Sequence, residues 1–316
     1  MQRITMDQVA PELRSRVRTI PSPLFSNPLG RRLFRWLNAH LPSTRVDGVR
    51  IEVLPEEANR GLRIYHPQSR RSSGALLWIH GGGYIVGHPA QNDALCASTA
   101  SELGIVIVAP HYRLAPEHPF PAGLDDCHAG WLWMLAAAAR LGIDPANIVI
   151  GGESAGGGLA AALVQRIHDE AGPKPTGQWL LCPMLDDRTA ANRTLDAGRH
   201  FLWDNRSNRF GWRSYLGGDP GSATVRPYSV PARRADLGGL PPAWIGVSDL
   251  DLFHDEDRLY AERLRAADVP SQFYEVSGAP HAFYNLAPQA PLALGFMAQA
   301  WGWLRERLAA ASPDTP

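Results

Sequence analysis

The stretch Asn147-Ile-Val-Ile-Gly-Gly-Glu-Ser-Ala-Gly-Gly-Gly-Leu-Ala-Ala-Ala-Leu-Val164 passes within a few residues from a β-branched run to a helix-forming one, with a serine at the junction. Ser154 stands in a Gly-x-Ser-x-Gly pattern made by Gly152 and Gly156. A nucleophile on a sharp strand-to-helix turn occupies a strained backbone, and the residues two places to either side must be small for strand and helix to close on each other. The pattern alone is expected by chance on the order of 0.1 to 0.2 times in a Gly-rich chain of this length, so its placement between strand and helix carries the weight. The structural alternative is a glycine-rich turn with an incidental serine. The same turn holds Gly156, Gly158 and Ala161 in a loose dinucleotide-binding pattern. The acid that pattern needs should close the next strand, which instead ends in Cys182-Pro183, while Asp169 falls in the helix.

Outward from this turn, β-rich runs lie at 49–54, 62–66, 75–80, 105–110, 177–182, 243–248 and 271–276, making eight with 147–151. Helix-forming stretches at 90–103, 122–140, 155–170, 255–267 and 290–310 separate most of them. Strand and helix alternating in this way predict an α/β fold with a largely parallel eight-stranded sheet flanked by helices. Between Pro183 and Pro241 the alternation lapses into a polar, Arg- and Trp-containing stretch with one helical piece near 204–216, which reads as an insertion over the sheet. Residues 1–45 are rich in Arg and apolar residues, and Leu33, Trp36, Leu37 and Leu41 share one helical face. That face is expected to pack on the main body. The alternative is a basic helix lying on a membrane surface through Arg31, Arg32 and Arg35.

Thirty-one basic residues balance thirty-one acidic ones in the 316-residue chain, so no global field would gather nucleic acid or anionic membrane. Cys96, Cys127 and Cys182 are odd in number and widely spaced, fitting neither a disulfide framework nor a four-ligand zinc site. The N-terminus lacks the apolar core of an export signal, and no stretch reaches the length of a spanning helix. A soluble cytoplasmic protein with no stable membrane anchor is expected.

A serine nucleophile needs donors for the oxyanion it creates, and His80-Gly-Gly-Gly-Tyr84 follows directly on the run 75–80. Backbone N–H groups of Gly82 and Gly83, with that of Ala155, are assigned this task; one such donor is worth roughly 3 to 4 kcal/mol in the transition state. The serine also needs a base and the base an orienter, which on such a sheet follow in the order acid, then histidine, on loops after later strands. His281 follows the run 271–276. After 243–248 come Asp249, Asp251 and Asp255, and spacing alone does not choose among them. Asp255, with Glu256 and Asp257, suits the start of the next helix, and His254 and His168 lie near or in helices, where a solvated role is expected.

These residues resemble the hormone-sensitive-lipase family of bacterial esterases, of the α/β-hydrolase superfamily, on four stretches: His80–Tyr84, Tyr112-Arg-Leu-Ala-Pro-Glu-His-Pro-Phe-Pro121, Gly152–Gly157, and the pair Asp251-Leu-Phe-His-Asp-Glu256 with His281-Ala-Phe283. The resemblance implies Asp251 as the acid and a helical cap built from residues 1–45 and 186–222, leaving 46–185 and 223–316 as the catalytic domain. It further implies a serine carboxylesterase acting on short-to-medium acyl esters, needing neither metal nor organic cofactor. Glu153, Leu252 and Ala282 depart from the family's commoner Asp, Pro and Gly. Tyr84, Trp203, Phe210, Trp212 and Tyr215 are candidate walls of an apolar substrate pocket, with packing within the cap as the plainer explanation. A lactone or carbamate substrate uses the same chemistry. The rival of another class is a ligand-binding protein on this fold, as in the plant gibberellin receptors, which lack the histidine; His281 argues against it. Homodimer formation through an edge strand is compatible with the resemblance, and no residue pattern speaks for it.

Overall fold

The computed structural model describes residues 4–19, 27–40, 46–55, 61–198 and 200–310. All eight predicted runs become strands: β1 Val49–Leu54, β2 Leu62–Pro67, β3 Ala75–Ile79, β4 Val106–Pro110, β5 Ile148–Glu153, β6 Gly177–Leu181, β7 Ala243–Ser248 and β8 Ser271–Val276. They form one sheet in the order β1-β2-β4-β3-β5-β6-β7-β8. Strand β2 runs antiparallel to β1 and to β4, and the remaining neighbours pair in parallel.

The central strands are buried from end to end because both faces of the sheet are covered, which is why they read as unbroken apolar runs. Successive side chains nevertheless part company by the two-residue period of a strand. Ala75, Leu77 and Ile79 of β3 join Val106, Val108, Ile148 and Ile150 in the core on one face. Leu76 and Trp78 join Ile107, Ala109 and Val149 on the other. Each such Leu, Ile or Val removed from water contributes roughly 1.5 to 3 kcal/mol before conformational entropy is set against it.

The helices are α1 Pro11–Arg18, α2 Pro28–Ala39, α3 Asp93–Leu103, α4 Ala122–Ala136, α5 Ala138–Leu141, α6 Ala155–Asp169, α7 Asp187–Ala191, α8 Asn205–Leu216, α9 His254–Ala266, α10 Phe283–Leu286 and α11 Pro291–Ala310. The helix expected over 122–140 is two pieces, turning at Ala137. The segment expected to begin a helix at residue 90 opens as a 3-10 turn, Pro89–Asn92, before α3. A buried ion pair fixes α3 to the sheet: Arg63 of β2 donates to both carboxylate oxygens of Asp93 at 2.9 and 2.6 Å, and Tyr65 donates to the same carboxylate at 2.8 Å. No helix among the described residues is long and apolar enough to cross a membrane.

Helix α2 departs from expectation. Leu33, Trp36 and Leu37, the apolar face expected to pack inward, are 58%, 57% and 49% exposed, while Arg31 and Asn38 are buried. Leu41 lies outside the described residues. The cause is hydrogen bonding. The Arg35 guanidinium donates to Ile85 O at 2.8 Å and Ala115 O at 2.7 Å and pairs with Glu117 at 2.9 Å, which turns the polar face of the helix toward the body. Arg31 lies over the Phe210 ring, 5.4 Å from its centroid.

Candidate active site

Ser154 stands between β5 and α6 with φ 53° and ψ −124°, the strained conformation expected of a nucleophile presented on a tight elbow. The close approach that demands glycine is explicit. A Cβ on Gly152 would lie 2.3 Å from Gly156 O, and one on Gly156 would lie 2.2 Å from Ile79 O and 2.3 Å from His80 O. Backbone hydrogen bonds lock the turn: Ser154 N donates to Leu181 O at 2.9 Å, and Ser154 O accepts from Met184 N at 2.9 Å and Gly158 N at 3.0 Å.

The fold brings together Ser154, His281 and Asp251, which are distant in sequence. His281 Nε2 lies 2.9 Å from Ser154 Oγ, and His281 Nδ1 lies 2.7 Å from Asp251 Oδ2. All three are buried. The second Asp251 oxygen, Oδ1, accepts the Phe253 N–H at 3.0 Å, so the carboxylate is held at both ends. Burial by itself pushes the His281 pKa down, but the adjacent Asp251 carboxylate reverses this and holds the imidazole well above its ordinary value. The rival acids are occupied elsewhere. Asp249 accepts the Gly278 N–H at 2.7 Å, bracing the loop that carries His281. Asp255 lies 3.0 Å from His254 Nδ1, whose other nitrogen meets Glu275 at 2.6 Å, so His254 is ion-paired and half-buried instead of solvated.

The loop His80–Tyr84 lies over the elbow. Gly82 and Gly83 have φ of 127° and 58°, and Gly82 O accepts from Ile85 N and Val86 N, which sets the turn. His80 is fully buried, which lowers its pKa well below the ordinary value and keeps the ring neutral. Its Nδ1, 2.8 Å from Gly81 O, is therefore the protonated nitrogen. The long signature after β4 supports this loop from beneath. Tyr112 stacks on His80 with centroids 4.2 Å apart and donates its hydroxyl to His80 O at 3.0 Å. Arg113 is pinned by Asp126, which takes its backbone N–H and two guanidinium bonds at 2.8 to 3.0 Å.

The aromatic candidates divide. Tyr84, Trp212 and Tyr215 are buried against one another, with Tyr84 and Tyr215 stacked at 4.1 Å, and the Tyr84 hydroxyl donates to Met184 O. Phe210 is half-buried beneath Arg31. Trp203 lies against the loop His80–Tyr84 itself: a Cβ on Gly83 would fall 2.1 Å from its ring. A separate cavity of about 440 Å³, lined in part by Arg35, His88, His111, Tyr112 and His118, includes none of Ser154, Asp251 and His281 in its wall. It lies behind the loop, since Gly87 of its lining packs on His80 and Gly81 O.

Cys182, Asp251 and His281 place a sulfur, an oxygen and a nitrogen within 4.8 Å of one another, a donor set a thiophilic cation could use. Both imidazole nitrogens are already committed to Ser154 and Asp251, so a cation there would have to displace one of those bonds. Residues that motif reading passed over also converge here. Asn92, Tyr284 and Asn285 all bind the carboxylate of Glu153, the residue before Ser154. No sequence pattern marks them, because Glu153 lies 61 to 132 positions away from them.

Residues 76–285 match the model of a family described by the alpha/beta hydrolase fold. The chain belongs to that family, among its carboxylic ester hydrolases. Carboxylic ester hydrolase LipN of Mycobacterium tuberculosis is 34% identical over 78% of this chain and 66% of its own length. A solved bacterial heroin esterase superposes with a TM-score of 0.87 at 34% identity, over 96% of this chain and 99% of that one. A solved esterase described as belonging to the bacterial hormone-sensitive lipase family superposes with a TM-score of 0.76 at 28% identity, over 95% and 99% of the two chains.

Proposed function

We propose that the protein is a serine carboxylesterase in which Ser154 is the nucleophile, His281 the general base and Asp251 its orienter. The observation that carries this reading is the unbroken relay from Asp251 Oδ2 through the imidazole to Ser154 Oγ. As Ser154 Oγ bonds to the ester carbonyl carbon, its proton passes to His281 Nε2, and the carbonyl oxygen takes up the negative charge. The N–H groups of Gly82, Gly83 and Ala155 hold that oxyanion. Collapse breaks the bond to the alkoxy oxygen, which leaves as the alcohol with the proton from His281. Water then attacks the acyl-enzyme, gives its proton to the same nitrogen and releases the carboxylic acid, and the proton returns to Ser154. Asp251 stays ionised throughout and steadies the imidazolium.

In this reading the N-terminal helices and the segment 186–222 form a cap. Ile4 N donates to Gly198 O at 2.9 Å, joining the two, and Trp203 roofs the oxyanion loop. The roof of aromatic bulk suits short-to-medium acyl esters. Hydrolysis of p-nitrophenyl esters from acetyl to dodecanoyl tests the reading. Turnover should peak at short chains and fall at least a thousandfold in Ser154→Ala. Survival of that variant within tenfold of wild type would remove Ser154 from its role.

A further inference from the structure

We infer that Glu153 is a positioning residue for the reaction: its carboxylate joins the nucleophile elbow, the loop of the base and the segment bracing the oxyanion loop into one unit. The inference rests on the reading of Ser154 as the nucleophile. Glu153 is buried, and the groups that bind it are neutral donors, two amides and a phenol. Oε1 accepts from Asn92 Nδ2 at 2.8 Å. Oε2 accepts from Tyr284 Oη at 3.1 Å and Asn285 Nδ2 at 2.7 Å. A carboxylate taken out of water into such a setting loses hydration that those hydrogen bonds replace.

Each partner belongs to a different part of the site. Glu153 precedes the nucleophile. Tyr284 and Asn285 lie on α10, three and four residues beyond His281, and the chain enters α10 through Ala282 at φ 50°, so the helix and the imidazole share one rigid turn. Asn92 ends the 3-10 turn whose Gln91 donates to Gly81 O at 3.2 Å. Ser154 and His281 stand 127 positions apart, so no local backbone geometry sets their 2.9 Å separation. The Glu153 carboxylate spans that junction through space.

The chemistry of the carboxylate is specific. It offers acceptors on both oxygens, and glutamine in its place would turn an NH₂ toward a donor. Asn92 cannot flip to receive it, because its Oδ1 accepts Trp78 Nε1–H at 3.2 Å. Aspartate keeps both acceptors one methylene shorter. Displacement of a catalytic group by about an ångström costs on the order of 100-fold in rate.

The test is steady-state hydrolysis of p-nitrophenyl butyrate by the full chain, with active sites counted by a fluorophosphonate that labels a reactive serine, beside thermal unfolding. Glu153→Gln should lower kcat per labelled site about 10- to 100-fold and change KM less than about threefold. Glu153→Asp should stay within about fivefold of wild type, and exposed Asn285→Ala should lower kcat in the same direction as Glu153→Gln with folding intact. Undiminished kcat per labelled site in Glu153→Gln, or a loss only in the number of labelled sites, overturns the inference; should that variant not fold, an unchanged kcat in Asn285→Ala does so. A wild type that neither labels nor turns over would instead sink the nucleophile reading.

Discussion

Asp251 Oδ2 lies 2.7 Å from His281 Nδ1, while Asp251 Oδ1 is held by the Phe253 N–H at 3.0 Å. The carboxylate therefore fixes both the tautomer and the orientation of the imidazole. Replacing it with Asn keeps the shape and removes the charge, so Asp251→Asn should lower kcat by about 10³- to 10⁴-fold with little change in KM. Steady-state kinetics on a short-chain ester would check this, and a loss below tenfold would assign the acid elsewhere.

The same pairing predicts a pH profile. In the proposed mechanism only the neutral imidazole accepts the Ser154 proton, and Asp251 holds the His281 pKa well above the ordinary value against the opposing effect of burial. Activity should therefore rise with pH on the alkaline side of the usual histidine range and then level off. Removing the negative charge lowers the pKa, so the residual activity of Asp251→Asn should rise at a lower pH than that of wild type. For stability the sign is opposite. The ion pair contributes fully below the ordinary histidine pKa, and that contribution is lost as pH climbs through the raised folded value.

Trp203 presses on Gly83 of the loop His80–Tyr84. Trp203→Ala should open space beside Gly83 and move the preferred acyl chain of p-nitrophenyl esters to greater length, with kcat/KM for the longest esters rising relative to acetyl. An unchanged ranking of chain lengths would show that this ring is only packing.

Asp93 and Arg63 are both buried, and their bond is bidentate. Asp93→Ala takes both of these hydrogen bonds from a buried guanidinium, and should cost about 3 to 5 kcal/mol in urea unfolding. Breaking the exposed pair Arg258–Glu262 should cost less than about 0.5 kcal/mol in the same assay. Equal costs would mean that Arg63 finds other compensation.

Much of this molecule was legible in its residues. All eight strands fall where β-rich runs stand, because burial on both faces of a parallel sheet leaves a local mark. The elbow around Ser154 was legible because Gly152 and Gly156 answer a steric demand made within five residues. That His281 reaches Ser154 was foreshadowed by its place after the last strand. Which aspartate meets His281 was not legible from spacing: Asp249, Asp251 and Asp255 differ only in where their side chains point, and Asp249 and Asp255 turn to Gly278 and His254.

What the sequence by itself determined is therefore whatever depends on near neighbours, namely strand, helix and the elbow at Ser154. Tertiary structure alone decided how α2 faces. Its pattern of Leu33, Trp36 and Leu37 promised an inward apolar stripe, yet Arg35 found the Ile85 and Ala115 carbonyls and rolled the helix over. It alone decided that Glu153 meets Asn92, Tyr284 and Asn285. Hydrogen bonds between groups far apart in the chain depend on where the whole sheet carries each loop, and a buried carboxylate takes whichever donors that packing delivers.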